Sequence, residues 1–163
     1  KHTADSYITL IERIRAARPD IALSGDFIVG FPGETDTDFE ETLALVDAVG
    51  YAHAFSFKYS PRPGTPASTA DQVPEPVKEA RLATLNDRLR EHQVRFQESC
   101  IGRTMPVLFE KTGREDGQLT GRSPYLQPVH VLAPESALRQ ILPVRIDAVF
   151  PNSLSGTLVD ATF

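Results

Sequence analysis

The chain has 163 residues, of which 40% are hydrophobic and 24% charged, and its 22 Asp and Glu against 17 Lys and Arg give a formal net charge of −5. This is the balance of a soluble chain of one ordinary domain or two small ones, and no apolar run approaches the roughly 20 residues that a membrane-spanning helix needs. Its single cysteine, Cys100, excludes an internal disulfide framework, and it falls short of the three or four thiolates (roughly) that hold an iron–sulfur cluster.

The start, Lys1-His-Thr-Ala-Asp5, has no apolar signal core and no initiator methionine, so the chain is expected to be part of a longer one. Tyr7, Leu10, Ile11 and Ile14 then fall at helical spacing, and Pro19 ends the pattern. Ala22 to Val29 reads as a strand. Thr35 with Asp38 three residues on has the form of a capping box, and Phe39, Leu43, Val46 and Val49 make the apolar stripe of the helix that follows. Gly50 is placed to end that helix, and His53 to Tyr59 reads as a second strand. The stretch Ser60-Pro-Arg-Pro-Gly-Thr-Pro-Ala67 is too rich in proline for regular structure. Pro76 suits the first turn of a long helix reaching Cys100, with Leu82, Leu85, Leu89 and Phe96 as its packing face and Gly102 at its end. Residues 1–101 thus read α-β-α-β-loop-α, an order that favours parallel strands joined by right-handed crossovers.

From Arg103 the pattern changes. Met105–Glu110, Gln118–Arg122, Val129–Leu132, Leu142–Phe150 and Gly156–Val159 are short β-type runs, separated by turn residues such as Asp116-Gly117 and Pro151-Asn152-Ser153. Five short strands in about 60 residues predict a small antiparallel barrel. Charge divides unevenly: residues 1–98 hold 11 Lys and Arg against 16 Asp and Glu, whereas residues 102–163 hold 6 of each. Neither half is strongly basic, so charge alone gives no support for nucleic-acid binding.

Alternation along the first strand places Ser24, Asp26 and Ile28 on one face and Phe27 and Val29 on the other. The same reading of the second strand sets Ser56 and Lys58 against Phe55, Phe57 and Tyr59. With the apolar faces packed under helices, Asp26, Ser56 and Lys58 are expected to line a shared interior near the carboxyl ends of the strands, where barrel folds hold ligands. The loop Gly30-Phe-Pro-Gly33 leads into a helix amino terminus, whose N–H groups favour acceptors. Glu34 argues against a phosphate there and for a neutral or zwitterionic ligand. The plain alternative is a strand-to-helix turn with Asp26 buried and hydrogen-bonded to backbone. In the small barrel, Lys111, Arg114, Arg122 and Arg145 are candidates for phosphate contacts and Phe109 and Tyr125 for base stacking, against the alternatives of a core phenylalanine and solvated arginines. His2, His53, His92 and His130 show no metal-ligand spacing.

The run Ser24-Gly-Asp-Phe-Ile-Val-Gly-Phe-Pro-Gly-Glu-Thr35, followed by Asp38-Phe39, resembles the fifth-strand motif of the radical-SAM methylthiotransferases. Phe57-Lys-Tyr-Ser-Pro-Arg-Pro-Gly-Thr-Pro-Ala67 resembles the end of their sixth strand. Arg103 to Val159, with Gly121-Arg122 and Pro151-Asn-Ser-Leu-Ser-Gly-Thr-Leu158, resembles the TRAM domain at their carboxyl terminus. Three motifs in order cover nearly the whole chain, which is more specific than any one of them.

The resemblance implies that residues 1–101 are the carboxyl-terminal part of a partial (β/α) TIM-like radical-SAM barrel, and residues 102–163 a five-stranded antiparallel, OB-like TRAM barrel. It implies a cytoplasmic transferase that adds a methylthio group to C2 of isopentenyladenosine next to the tRNA anticodon. The cofactors of such an enzyme are S-adenosylmethionine and two [4Fe-4S] clusters. By resemblance the cluster ligands lie before Lys1, so this chain is expected to hold no catalytic or metal-ligating residue, to bind no cofactor alone and to be inactive alone. By the same resemblance Asp26 accepts from the ribose or amino group of S-adenosylmethionine, Ile28 and Gly30 line its adenine, and Tyr59, Ser60 and Pro61 present backbone to the adenine edge. Arg62 meets either the cofactor carboxylate or a tRNA phosphate. Lys111, Arg114, Arg122, Arg145 and Tyr125 contact the anticodon stem-loop. No membrane partner is expected, and open sheet edges predict self-association. Two other readings stand beside this one. A sister methylthiotransferase would act on threonylcarbamoyladenosine in tRNA or on a ribosomal-protein aspartate, and Ser60-Pro-Arg-Pro-Gly-Thr favours the tRNA enzymes. A non-catalytic RNA-binding module would need the small barrel to bind RNA alone.

Overall fold

The computed structural model describes residues 3–159, so His2 and the last four residues of the second candidate domain lie outside the described part. The chain forms two compact units, Lys1–Gln93 and Val94–Phe163.

The first unit holds α1 (Ala4–Ala17), β1 (Ser24–Val29), α2 (Asp36–Val49), β2 (His53–Lys58), a 3₁₀ turn at Pro66–Thr69 and most of α3 (Glu75–Glu98). Helix α2 starts where the sequence places it. The Asp38 amide donates to Thr35 Oγ1 at 3.2 Å and the Thr35 amide to the Asp38 carboxylate at 2.8 Å, so two amides that the helix cannot satisfy are bonded reciprocally. It ends at Gly50, whose left-handed backbone (φ +59°) lets its N–H reach the Val46 carbonyl at 2.8 Å. Strands β1 and β2 pair in parallel with Asp26 opposite Phe55 and Ile28 opposite Phe57. Phe27 and Val29 pack against a core of Ile11, Phe39, Val46, Val49, Tyr51, Leu85 and Leu89.

The second strand corrects one expectation. Ser56 and Lys58 do not share an interior with Asp26. They lie in register with Phe27 and Val29, on the helix-covered side, where Ser56 donates to Asn86 and Lys58 pairs with Glu75 and, at 3.3 Å, with Glu79. Phe55 and Phe57 are the outward residues, 54% and 53% exposed, beside Ile28 at 58%. Hydrophobic residues facing the helices is a sound default, but here α3 meets β2 with polar side chains and matches them to a serine and a lysine.

The second unit is a closed five-stranded barrel of β3 (Thr104–Thr112), β4 (Gln118–Arg122), β5 (Pro128–Leu132), β6 (Ile141–Phe150) and β7 (Ser153–Leu158), in the order β3-β4-β5-β7-β6. A 3₁₀ turn at Glu135–Ala137 joins β5 to β6. The barrel is mixed and not antiparallel, because β5 and β7 run parallel through Val129 opposite Leu154 and His130 opposite Ser155. The reason is parity: around a ring of five, strand directions cannot alternate at every step, so closure forces at least one parallel pair. Met105, Val107, Phe109, Leu119, Val129, Val131, Val144, Ile146 and Leu154 fill the interior with Cys100 and Ala137. Phe109 is completely buried there, which makes it core and removes it from the stacking candidates. Among the described residues no helix is long and apolar enough to cross a membrane.

Candidate functional site

The first site lies where β1 and β2 end side by side. Pairing continues one step past β2, with the Tyr59 amide donating to the Val29 carbonyl at 2.8 Å. Asp26 and Ile28 lie on the open face, in register with Phe55 and Phe57, and the Asp26 carboxylate has no bonded partner among the described residues. Tyr59 is half-buried and meets the edge of Phe31, the first loop residue after Gly30, at 5.0 Å between ring centres. Ser60, Pro61 and Arg62 follow as exposed chain, and the Arg62 carbonyl closes a turn by accepting from the Thr65 amide and hydroxyl. Asp26, Ile28 and Tyr59 are therefore gathered at one sheet end, where Phe31 and Phe57 complete an apolar wall that sequence reasoning did not assign.

Gly30 sits differently from its expected part. It is buried, its φ is +71°, and its N–H donates to the Glu34 carboxylate at 3.0 Å. Glu34 in turn accepts from Arg81, which also binds Asp36. The Thr35 amide and hydroxyl hold the Asp38 carboxyl below the usual carboxylate range. The N-terminal turn of α2 is thus bonded to its own side chains and offers no ready anion site. Close by, hydrogen bonds from Lys58 and Lys78 bring the Glu75 carboxyl down to about 2.

The second site is a cleft of about 980 Å³ on the barrel. Its walls are the end of β3 and the β3–β4 turn, the outer faces of β4 and β5, and the β6–β7 hairpin. Lys111, Arg114 and Arg122 line it together. Arg122 is tied to Glu110 at 3.3 Å and to the Leu126 carbonyl at 2.9 Å, whereas the Lys111 and Arg114 side chains have no bonded partner among the described residues. With Glu110 and Glu115 also in the lining, three cations face two carboxylates, a formal +1. Thr120 and His130 meet across the β4–β5 ladder at 3.1 Å, and Phe150, 49% exposed, stands at the hairpin. Sequence reasoning missed His130 and Phe150. Val144 and Ile146 face inward, so unbroken alternation would carry Phe150 inward too, but the register shift between Ile146 and Ala148 makes Val149, opposite Leu154, the next core residue and turns Phe150, opposite Ser153, to the outside.

Arg145 and Tyr125 lie outside this lining. Arg145 pairs with Asp147 at 3.0 Å, and the Thr157 hydroxyl, with Arg145, holds that carboxyl below its usual range. The Tyr125 ring packs edge-on against Phe96 at 5.1 Å, and its hydroxyl accepts from Arg103, whose guanidinium also lies 5.4 Å from the ring centre.

Residues 98–159 match the TRAM domain family. The chain is also 62% identical, over 159 residues, to a tRNA-2-methylthio-N(6)-dimethylallyladenosine synthase of Maricaulis maris (strain MCS10), an alignment covering 97% of this chain and 35% of the synthase. Nearly the whole chain is thus similar to one part of that synthase. It spans about a third of the length of this relative. The cleft is thus a feature of the TRAM domain, and the open sheet face lies in the part of the chain that precedes it.

Neither site carries a metal-binding set. Among the described residues no three His, Cys, Asp or Glu side chains are grouped to hold an ion. Cys100 is fully buried in the TRAM core, its S–H aimed at the Phe96 carbonyl at 3.4 Å, and burial pushes its thiol up. The residues present do not fit an iron–sulfur cluster.

Proposed function

We propose that this chain is the carboxyl-terminal part of a radical-SAM tRNA methylthiotransferase, which adds a methylthio group to C2 of isopentenyladenosine beside the anticodon in the cytoplasm. Residues 1–101 supply one side of the S-adenosylmethionine cradle, completing a partial (β/α) barrel, and residues 102–163 bind the tRNA. The observation that carries the cradle reading is the open end of β1 and β2. There the Asp26 carboxylate, unpartnered among the described residues, shares a face with Ile28 and Phe57, next to the Phe31–Tyr59 ring pair. An apolar wall with one acceptor suits a nucleoside: the rings pack on a flat base, and the carboxylate accepts from ribose hydroxyls or an amino group.

In this reading Ile28 and Tyr59 flank the adenine, and the backbone of Tyr59, Ser60 and Pro61 meets its edge. Gly30 acts through the turn that brings Phe31 beside Tyr59, since its N–H is held by Glu34 and the side a Cβ would take is filled by Lys78. Arg62, whose exposed side chain has no bonded partner among the described residues, takes the cofactor carboxylate or a tRNA phosphate. S-adenosylmethionine, when bound, supplies the radical-forming and methyl groups. The chain's own residues bind and orient it, and no step is assigned to a cluster that this chain cannot ligate. Lacking those ligands, the chain is inactive alone.

On the TRAM side, Lys111, Arg114 and Arg122 contact phosphates of the anticodon stem-loop, and Phe150 offers a face to an unpaired base. Arg145 and Tyr125 take no part in this cleft. The name of the Maricaulis relative favours dimethylallyladenosine, and the run Ser60-Pro-Arg-Pro-Gly-Thr65 favours the tRNA enzymes over the ribosomal one. The cradle reading is tested in the whole synthase by Asp26→Ala. Its S-adenosylmethionine dissociation constant should rise about tenfold, as expected for losing a hydrogen bond to a charged group. An unchanged constant, measured by calorimetry, removes Asp26 from the site.

A further inference from the structure

We propose that Arg81 is a positioning residue for the cofactor cradle, acting through Glu34 on the Gly30 turn. The inference rests on the cradle reading above. Arg81 touches no residue of the open face. The residue is 7% exposed, and its fork reaches three acceptors at the start of α2: the Glu34 carboxylate at 2.6 Å, the Glu34 carbonyl at 3.2 Å and the Asp36 carboxylate at 2.6 Å. It also lies 5.7 Å from the centre of the Phe39 ring. The Glu34 oxygen that takes Arg81 is the one that takes the Gly30 N–H at 3.0 Å. Left to itself, a carboxylate four residues beyond a turn would rotate into water. The buried guanidinium keeps it inward, and with it the direction in which the chain leaves β1.

One turn earlier on α3, Lys78 closes the other side. Its buried stem lies against Gly30, where any Cβ would collide with it, and its ammonium is fixed by Glu75 at 2.8 Å. The loop so held carries Phe31, whose ring sets the distance to Tyr59 at the end of β2. Arg81 therefore governs the spacing between the two strand ends assigned to the adenosine. A planar fork is needed because three acceptors in different directions must be met by one group, which a lysine ammonium on a flexible stem does not do.

The test uses Arg81→Lys, which keeps the charge and loses the fork, with Glu34→Gln as a second variant that keeps an oxygen for Gly30 and weakens the ion pair. Hydrogen exchange read by NMR on this chain should show the Gly30 and Phe31 amides opening about tenfold faster in Arg81→Lys, and by a smaller factor in Glu34→Gln, while Phe27 and Ile28 are unchanged. In the whole synthase, the dissociation constant for S-adenosylmethionine should rise about tenfold with Arg81→Lys. Uniform acceleration across the first unit would make Arg81 a general stabiliser and overturn the proposal. So would a selectively loosened Gly30 turn with unchanged cofactor affinity. If Asp26→Ala weakens binding and Arg81→Lys does not, the positioning role fails and the cradle stands; if neither weakens it, the cradle reading itself fails.

Discussion

The two units treat their β-structure in opposite ways. The TRAM barrel closes on itself, so its apolar residues go inward and Val107, Phe109, Val129, Val144, Ile146 and Leu154 lose essentially all contact with water. The β1–β2 pair closes on nothing. One side packs under helices, and the other leaves Ile28, Phe55 and Phe57 each more than half exposed. Three large apolar side chains in one contiguous patch cost free energy unless something covers them, roughly 1.5–3 kcal/mol for each one buried. A closed barrel is finished as a folding unit and its function lies on its outside. An open sheet is unfinished, and its function lies on the face that folding left uncovered.

The largest expected effect breaks the closed unit. Phe109→Ala empties the centre of the barrel and should destabilise the TRAM unit by about 3–5 kcal/mol. Denaturant melts followed by NMR should show barrel amides lost first while first-unit amides such as Val46 persist. A truncation that leaves barrel stability unchanged would mean the core readily collapses around the gap.

The contrast also explains what the sequence disclosed. The helix starts and stops were legible because they depend on neighbours: Thr35 with Asp38 and Gly50 carry their own bonding instructions. The barrel strands were legible because alternation against a single enclosed core is the simplest of patterns. Three features depended on distant partners and were not. The face of β2 depended on α3 presenting Asn86, Glu75 and Glu79 to Ser56 and Lys58. The grip on Glu34 came from Arg81, 47 residues away. Phe150 is the strand residue it read as, but a register shift in β6 against β7 reversed the face on which it emerges. The parallel β5–β7 pair is of another kind, since five strands in a closed ring already require one. Among the candidate site residues, the sheet end held Asp26, Ile28 and Tyr59 and the cleft held three of the four barrel cations, because alternation fixes the face on which a residue emerges. It does not fix whether that residue already has a partner, which is what separates Lys111 and Arg114 from Arg145.

The next effect is intermediate and sharpens the contrast on the outside of the barrel. Replacing Lys111, Arg114 and Arg122 together by Ala should weaken binding of an anticodon stem-loop by tenfold or more (an order-of-magnitude figure) at low salt. It should also lower the slope of log affinity against log salt by about 2–3, as expected for three phosphate contacts. Arg145→Ala should leave both nearly unchanged. A slope that does not move in the triple variant would place the RNA elsewhere.

The smallest effect distinguishes the two units by acid. In the first unit Asp38, Asp47 and Glu75 all have carboxyls held below their ordinary values, Asp38 by hydrogen bonds from Thr35, Asp47 first by His92 and then Arg88, and Glu75, at about 2, by Lys58 and Lys78. In the barrel, among the described residues, Asp147 alone has its carboxyl held below its ordinary value, by Thr157 and Arg145. A carboxyl whose folded value lies below its unfolded value favours the folded state fully above the unfolded value, and that contribution disappears as pH falls toward the folded one. The unfolded values are near 4 to 4.5, so the first unit should lose stability between about pH 4.5 and pH 2, and more of it than the barrel. All these groups are exposed and screened, so the difference should be small and should shrink in high salt. Amide exchange for each unit, followed from pH 6 to pH 2.5 at two ionic strengths, measures it. Equal acid sensitivity in the two units would show that these ion pairs contribute nothing beyond what water supplies, and that the open unit is held by its apolar side alone.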